Sequence, residues 1–562
     1  MKPCAGLLGL FFLLSGLSGC GASRSEGTPL PALFVDQRAV SGVDFHQRHN
    51  KVGLNILETL GTGAALCDFD DDGYLDLVLL GENRVALYRG DGRFHFQDVT
   101  ENSGLRQQGH WHGAATGDFD GDGRMDLYLC GYNCSALYRN QGAMRFEDVT
   151  AEVGVDVRPV SGTQSPEWRT SAAFVDVDHD GWLDLYVLRY VDFGPHTPQL
   201  CSRGEVMIAC DPQTYDPQRG TLYRNVGGKK FVDETAQRGM AEASGNALGV
   251  ACADYDNDGW TDIAVANDER PGDLFRNRGN GRFEQKGPES GTAFDAYGFV
   301  HAGMGIDWGD YDRDGHMDLF VTTYENEVKN LYRNLGTGIF ADMSLRTGIA
   351  KPLHLWVSWG ARFLDYDNDG WLDLMVTSGH VHDQAKKVKP QTDYPQPLIL
   401  FHNKKGQTFT DVSAQAGPPF QQPLVGRALC TGDIDNDGGV DVVITNPEGQ
   451  PLLLRNVTPQ RGHYLAVRLR APGNNRHGIG ARITLETNQG KSIRDVQTTG
   501  SIFCANDVRA HFGLGQEDKV RGIVVRWPDG RTERFTPPVV DRTLLLHYGS
   551  GQQLTPPRPR TS

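Results

Sequence analysis

Residues 68 to 76 read Asp68-Phe69-Asp70-Asp71-Asp72-Gly73-Tyr74-Leu75-Asp76. Asp occupies positions 1, 3, 5 and 9 and Gly position 6, and an aliphatic residue follows. The pattern starts again at Asp118, Asp176, Asp254, Asp310, Asp365 and Asp433, at intervals of 50, 58, 78, 56, 55 and 68 residues. Five fixed positions seven times over mark an internal repeat. The two long intervals locate insertions near 192–220 and 385–397.

Short apolar runs flank each motif, such as Ala64-Ala65-Leu66 before and Leu77-Val78-Leu79-Leu80 after. Runs of that length bounded by Gly are buried strands, not the long amphipathic helices of an EF-hand. About ten residues on comes a second marker, Leu87-Tyr88-Arg89, Leu137-Tyr138-Arg139-Asn140 and so on to Leu453-Leu454-Arg455-Asn456. A Gly turn then leads to a third, as in Phe96-Gln97-Asp98 or Phe146-Glu147-Asp148. Four strands per repeat predict an all-β chain with a seven-bladed β-propeller over residues 34–460. The seventh repeat lacks its third marker, while Phe34-Val35-Asp36 stands alone near the N-terminus. That N-terminal strand is expected to close the last blade beside Leu452 to Arg455 and hide an open edge.

Carboxylates at alternate positions of a tight loop converge on one point, and Gly permits the sharp turn. The ligand candidates are Asp68, Asp70, Asp72 and Asp76; Asp118, Asp120, Asp122 and Asp126; Asp176, Asp178, Asp180 and Asp184; and Asp254, Asp256, Asp258 and Asp262. They continue with Asp310, Asp312, Asp314 and Asp318; Asp365, Asp367, Asp369 and Asp373; and Asp433, Asp435, Asp437 and Asp441. The position 7 carbonyl, Tyr74 in the first loop, adds a fifth donor. Hard oxygen donors favour Ca²⁺ over zinc or copper, so up to seven calcium ions are expected. An Asx turn explains one or two Asp per loop but not four mutually repelling carboxylates. Exposed extracellular loops of this sort are expected to bind weakly, with Kd on the order of 10⁻⁴ to 10⁻³ M.

The chain has 562 residues and a formal charge of −16, with 71 acidic residues against 55 basic ones. The four repeated Asp of the seven loops are 28 of those acids, so the charge is local, and seven Ca²⁺ would bring the chain close to neutral. This balance argues against nucleic-acid binding, which needs a basic face.

Met1 to Gly19 has a single charge, Lys2, and an apolar core from Ala5 to Leu14, too short to span a bilayer and shaped like a signal peptide. Leu17-Ser18-Gly19-Cys20 resembles a bacterial lipoprotein processing box, which implies lipidation of Cys20 and a membrane anchor. Gly21 after it resembles outer-membrane sorting. The expectation is an outer-membrane or cell-surface lipoprotein, or else a periplasmic or secreted protein, with residues 20–33 as linker. Export opens the close pairs Cys130/Cys134 and Cys201/Cys210 to disulfide formation. Cys67, Cys252, Cys430 and Cys504 sit in apolar strand contexts and read as buried free thiols.

The loops resemble the FG-GAP/VCBS repeats of integrin α-subunit propellers. Trp359-Gly360-Ala361-Arg362-Phe363 and Asn267-Asp268-Glu269-Arg270-Pro271 are similar to the cartilage acidic protein family. Gly478-Ile479-Gly480-Ala481-Arg482, His511-Phe512-Gly513-Leu514-Gly515 and Val525-Arg526-Trp527-Pro528-Asp529-Gly530 resemble its terminal ASPIC/UnbV domain. Gly90 in place of the marker Asn and Gly439 at position 7 depart from the pattern. Residues 461–548 alternate in short strands, His463 to Arg470, Ala481 to Thr487, Val520 to Trp527 and Arg542 to Tyr548, and predict a small β-sandwich-like module. Its Arg-rich phrases read as solvated strand faces, and the tail 549–562 as disordered.

The sequence has no GxSxG, HExxH or phosphate-binding Gly-rich loop. Residues before first strands and after second strands lie opposite the acidic loops. His110, His112, Asp268, Glu269, Arg270, His301, His354, His380 and His382 therefore gather at one mouth of the channel and form a candidate ligand face. Two function classes follow: a calcium-binding interaction or adhesion module for a protein or glycan at the cell surface, which the resemblance implies, and an exported polysaccharide lyase or hydrolase. A convergent catalytic set at that mouth would favour the second.

Overall fold

A computed structural model describes residues 32–47, 54–157, 165–536 and 539–554. The signal segment, Cys20, nearly all of the linker and residues 555–562 lie outside the described residues.

Among the described residues the repeats form seven four-stranded antiparallel sheets. The first comprises Ala64–Cys67, Asp76–Gly81, Arg84–Gly90 and Phe96–Asp98. In every sheet the second strand begins at the position 9 Asp, so each acidic motif is the loop between first and second strands. The innermost strands after the first sheet are His110–Gly117, Arg169–Val175, Ala247–Ala253, Ile306–Gly309, Ser358–Leu364 and Leu429–Gly432. Each touches the next in chain order, and Leu429–Gly432 returns to Ala64–Cys67. This is propeller architecture: hydrophobic residues from both faces of each sheet are buried against the neighbouring sheets. Phe34–Asp36 pairs with Leu452–Asn456 (Phe34 opposite Asn456, Asp36 opposite Leu454) and supplies the outer strand of the seventh sheet. Phe34 is fully buried, with its ring 5.9 Å from Phe420 and 6.3 Å from Tyr366.

The C-terminal module has two sheets packed around Val467, Ile483, Ile523 and Trp527. One joins Ala510–Gly515, His463–Arg470 and Arg542–His547; the other joins Gly490–Asp495, Arg482–Thr487, Gly522–Arg526, Thr532–Phe535 and Gln552–Gln553. The last of these corrects the expectation of disorder from residue 549: Gln552 and Gln553 pair with Arg534 and Glu533, and Gly549 N–H donates to Glu533 Oε2 at 2.8 Å.

Cys201 and Cys210 are disulfide-bonded. Cys130 and Cys134 are not, which closes that alternative: their strands already pair, Gly131 opposite Cys134. Cys67, Cys252, Cys430 and Cys504 are buried free thiols. Among the described residues no helix is long and apolar enough to cross a membrane.

Candidate functional site

Each acidic loop is wound by two left-handed residues. Position 6 Gly has φ from 86° to 101° (Gly73, 92°; Gly259, 101°; Gly438, 86°), where a side chain is strained. Position 4 is also left-handed, for instance at Asn257, Asn368 and Asn436. That winding turns backbone N–H groups onto the first carboxylate: Gly73 N–H donates to Asp68 Oδ2 and Asp72 N–H to Oδ1, both at 3.1 Å. The position 9 carboxylate is the anchor of the loop. Asp76 accepts from Phe69 N–H at 2.9 Å and from Gly90 N–H at 3.0 Å, tying the loop to the third strand.

The second marker now has a role for both its polar residues. Its Arg bridges positions 3 and 5: Arg89 reaches Asp70 at 2.6 Å and Asp72 at 2.9 Å, and Arg224, Arg276, Arg333 and Arg455 do the same in their loops. The sixth loop departs, since His402 holds the Arg place and lies near Asp367 and Asp373. The signal was legible in Phe401-His402-Asn403, where other repeats have Arg-Asn.

The arginines face outward and leave inner oxygens without donors. Asp70, Asp178, Asp312 and Asp435 at position 3, and Asp118 and Asp176 at position 1, each keep a buried Oδ1 with no hydrogen-bond partner. Asp118, Asp120 and Asp122, like Asp176, Asp178 and Asp180, bring carboxylate oxygens within 4.8 Å of one another. Burial raises Asp118, Asp176, Asp310 and Asp433 to about 7 and Asp76 to about 8. Oxygen-only donors, clustered, desolvated and unsatisfied, fit a hard divalent cation.

The C-terminal domain covers only part of the loop face: the position 1 carboxylates are buried or half-buried, while the tips, such as Asp71 to Tyr74, Asp180, Asp258, Asp314 and Asp437, are exposed as the sequence reading expected. Several of the domain's arginines, read from the sequence as solvated strand faces, instead meet the loops. Arg468 bonds Asp68 at 3.1 Å and pairs with Asp71, Arg526 pairs with Asp254, and Arg509 Nη2 donates to Asp433 O at 2.8 Å. From this cap, residues 497–508 enter the channel and bond to every sheet. Ala505 N–H donates to Ala64 O and accepts through its own O from Leu66 N–H, both at 3.0 Å. Ala114 N–H donates to Phe503 O, Phe503 N–H to Ser171 Oγ, and Gly500 N–H to Val250 O. Ser501 exchanges bonds with Ile306, Arg362 donates to Thr499 O, and Asp507 N–H donates to Thr431 O. Gly63 lies so close that a Cβ there would sit 1.8 Å from Phe503 O. Sequence reading gave no sign of this plug.

At the opposite end the sequence-predicted face is brought together only in part. His112, His380 and His382 are buried; His112 stacks on Trp168, and burial lowers it to about 3. His380 lies 3.6 Å from Glu325, which also pairs with Lys389 of the second insertion. Asp268 accepts from Tyr190 Oη at 2.6 Å, and burial raises its carboxyl to about 8. Glu269 and Arg270 are half-buried, while His301 lies 3.0 Å from Asp295. His110 is half-buried against His112 and His354 is exposed. The disulfide-bonded insertion packs Phe193, Cys210 and Tyr215 onto the central cluster around Trp168 and Tyr190, closing much of this end. Tyr297 and Phe299, which sequence reading missed, stand exposed beside His301.

Residues 68–129, 118–187, 205–265, 254–321 and 310–376 match the FG-GAP-like repeat family, and residues 471–553 match the ASPIC and UnbV family. The chain belongs to the FG-GAP-like repeat family. These FG-GAP-like repeats, followed by an ASPIC and UnbV domain, are also similar to cartilage acidic protein 1. Identity to the Mus musculus protein is 26% over 389 residues, covering 67% of this chain and 54% of the relative. To the Homo sapiens protein it is 26% over 375 residues, covering 64% and 50%. The chain thus spans about half the length of the curated relatives it matches. Among solved structures, an Agrocybe aegerita lectin recognising non-reducing terminal N-acetylglucosamine aligns with 61% of this chain and 77% of its own, at 17% identity and TM-score 0.38. The WD40 β-propeller domain of Doa1 aligns over 74% and 99%, at 10% identity and TM-score 0.37.

Proposed function

We propose that this protein is an exported, lipid-anchored, calcium-binding propeller that acts as an interaction module at the cell surface. The observation that carries the calcium reading is the set of buried, donorless carboxylate oxygens in the FG-GAP loops. Asp176, Asp178 and Asp180, with their counterparts in the other loops, would hold the ion, which supplies positive charge to clustered carboxylates whose inner oxygens are buried. The Cys201–Cys210 disulfide accords with an oxidising compartment, and Cys20 is the proposed lipidation site.

The cap occupies part of the loop face and the plug fills the channel, so the opposite face is the one proposed for a protein or glycan ligand. Tyr297 (71% exposed) and Phe299 (64% exposed), beside His301, are the aromatic anchors proposed for it.

The test is thermal unfolding of the chain in EDTA and after calcium is restored. A Tm that falls by ten degrees or more and recovers supports the reading, on the order of several kcal/mol of linked binding. An unchanged melting curve rejects it. Cys20→Ser should move the protein from the membrane to the soluble fraction.

A further inference from the structure

We propose that the acidic loops are not equivalent: arginines of the C-terminal domain act as the counter-ion of the first and fourth loops, and calcium is held chiefly by the second and third. The proposal deepens the calcium reading above and rests on it.

The loops differ at the position 1 carboxylate. In the first, fourth, fifth, sixth and seventh, both of its oxygens accept backbone N–H groups, from positions 5 and 6. In the second and third only Oδ2 does, from Gly123 N–H at 2.9 Å and Gly181 N–H at 3.1 Å. Oδ1 of Asp118 and of Asp176 has no partner, although these residues are only 1% and 4% exposed. The third loop adds a second orphan, Asp178 Oδ1. A buried carboxylate oxygen without a donor is costly unless something cationic faces it.

The cap treats the loops in the complementary way. On the first, Arg468 Nη1 donates to Asp68 Oδ2 at 3.1 Å, and Arg470 donates to Asp71 at 3.1 Å. On the fourth, Arg526 pairs with Asp254 Oδ2, and Arg482 donates to Asp254 O at 2.7 Å and to Asn257. A guanidinium on the first ligand both neutralises it and repels a divalent ion a few ångströms away. The second loop receives the cap only through carbonyls, Gly121 O from Arg476 at 3.0 Å and Gly123 O from His477 at 3.3 Å. Among the described residues no hydrogen bond joins the cap to the third loop. On the first and fourth loops a cap guanidinium meets the position 1 carboxylate itself, whereas on the second and third none does and Oδ1 of that carboxylate is left without a donor.

The experiment is calcium-45 equilibrium dialysis of the full chain, with Tb³⁺ luminescence excited through Trp182 at position 7 of the third loop. Two sites should fill at concentrations at least tenfold below the others. Asp118→Asn and Asp176→Asn should each delete one of the two, and Asp176→Asn should abolish the earliest Tb³⁺ signal. Arg468→Gln and Arg526→Gln should each strengthen calcium binding at the first or the fourth loop with the far-ultraviolet circular dichroism unchanged, a gain that misfolding cannot imitate. Seven sites filling together, or weak-site affinities unmoved by the arginine variants, overturns this assignment and leaves the calcium reading standing. No bound calcium in any of the proteins overturns both.

Discussion

At the scale of single residues, the asparagine closing the second marker stitches one sheet to the next. Asn225 Nδ2 donates to Phe119 O in the preceding sheet at 2.8 Å and to Leu183 O in its own loop at 2.9 Å. Asn140, Asn277, Asn334, Asn403 and Asn456 repeat the arrangement. Asn225→Ala leaves two buried carbonyls without donors and should cost about 2 to 4 kcal/mol in denaturant unfolding. Gly90 takes this place in the first sheet, where a Cβ would meet Leu75 O at 2.1 Å, and Asn436 donates to Gly73 O across the seam instead. Lys329 offers a pH test. It is fully buried, donates to Tyr324 O at 2.6 Å, and burial lowers it to about 7. The unfolded chain therefore binds a proton that the folded chain does not between about pH 7 and 10.4, so this group makes stability rise with pH across that window. The slope is at most about 1.4 kcal/mol per pH unit, and Lys329→Met should flatten it in melts at pH 7, 8 and 9.

At the scale of elements, most of the propeller was legible because one marker recurs at one strand position. The acidic loop, the Leu-Tyr-Arg-Asn strand and the Phe-x-Asp strand fall where the repeat puts them, and the missing seventh marker pointed to Phe34. Phe34→Ala, which empties a fully buried site at the clasp, should cost about 3 to 5 kcal/mol and lower Tm without changing the sheet content. The C-terminal module was read less well. His463–Arg470 matched, but Gly490–Asp495 carries Lys491, Arg494 and Asp495 and did not stand out as a strand. Its arginines point at carboxylates of another domain, so their polarity marks a contact and not a solvated face. Periodicity along one chain reports which side of a strand is apolar, not what that side meets.

At the scale of the whole molecule, propeller and cap are one structure. The segment 497–508 bonds to all seven sheets, and the arginines of the cap reach the loops around its rim. The chain should melt in a single calorimetric transition, with the ratio of van't Hoff to calorimetric enthalpy near one. Replacing 501–506 by glycines should split it into two. Raised salt should weaken the rim pairs more than the plug, because the latter bonds are backbone and buried. The acidity of the chain was visible from composition, yet the chain's own arginines as partners of it came into view only once the domains were seen face to face.

The plug also sets an order of events in time. It is drawn from a domain synthesised after the propeller, and the strand that clasps the seventh sheet precedes the first repeat. Until residue 508 has emerged, the inner strands lack the backbone partners that the finished channel gives them. A chain that folds as it is made would thus complete its ring only after residue 508 has emerged, and a ribosome stalled just before it would leave seven unfilled sheet edges for chaperones to hold.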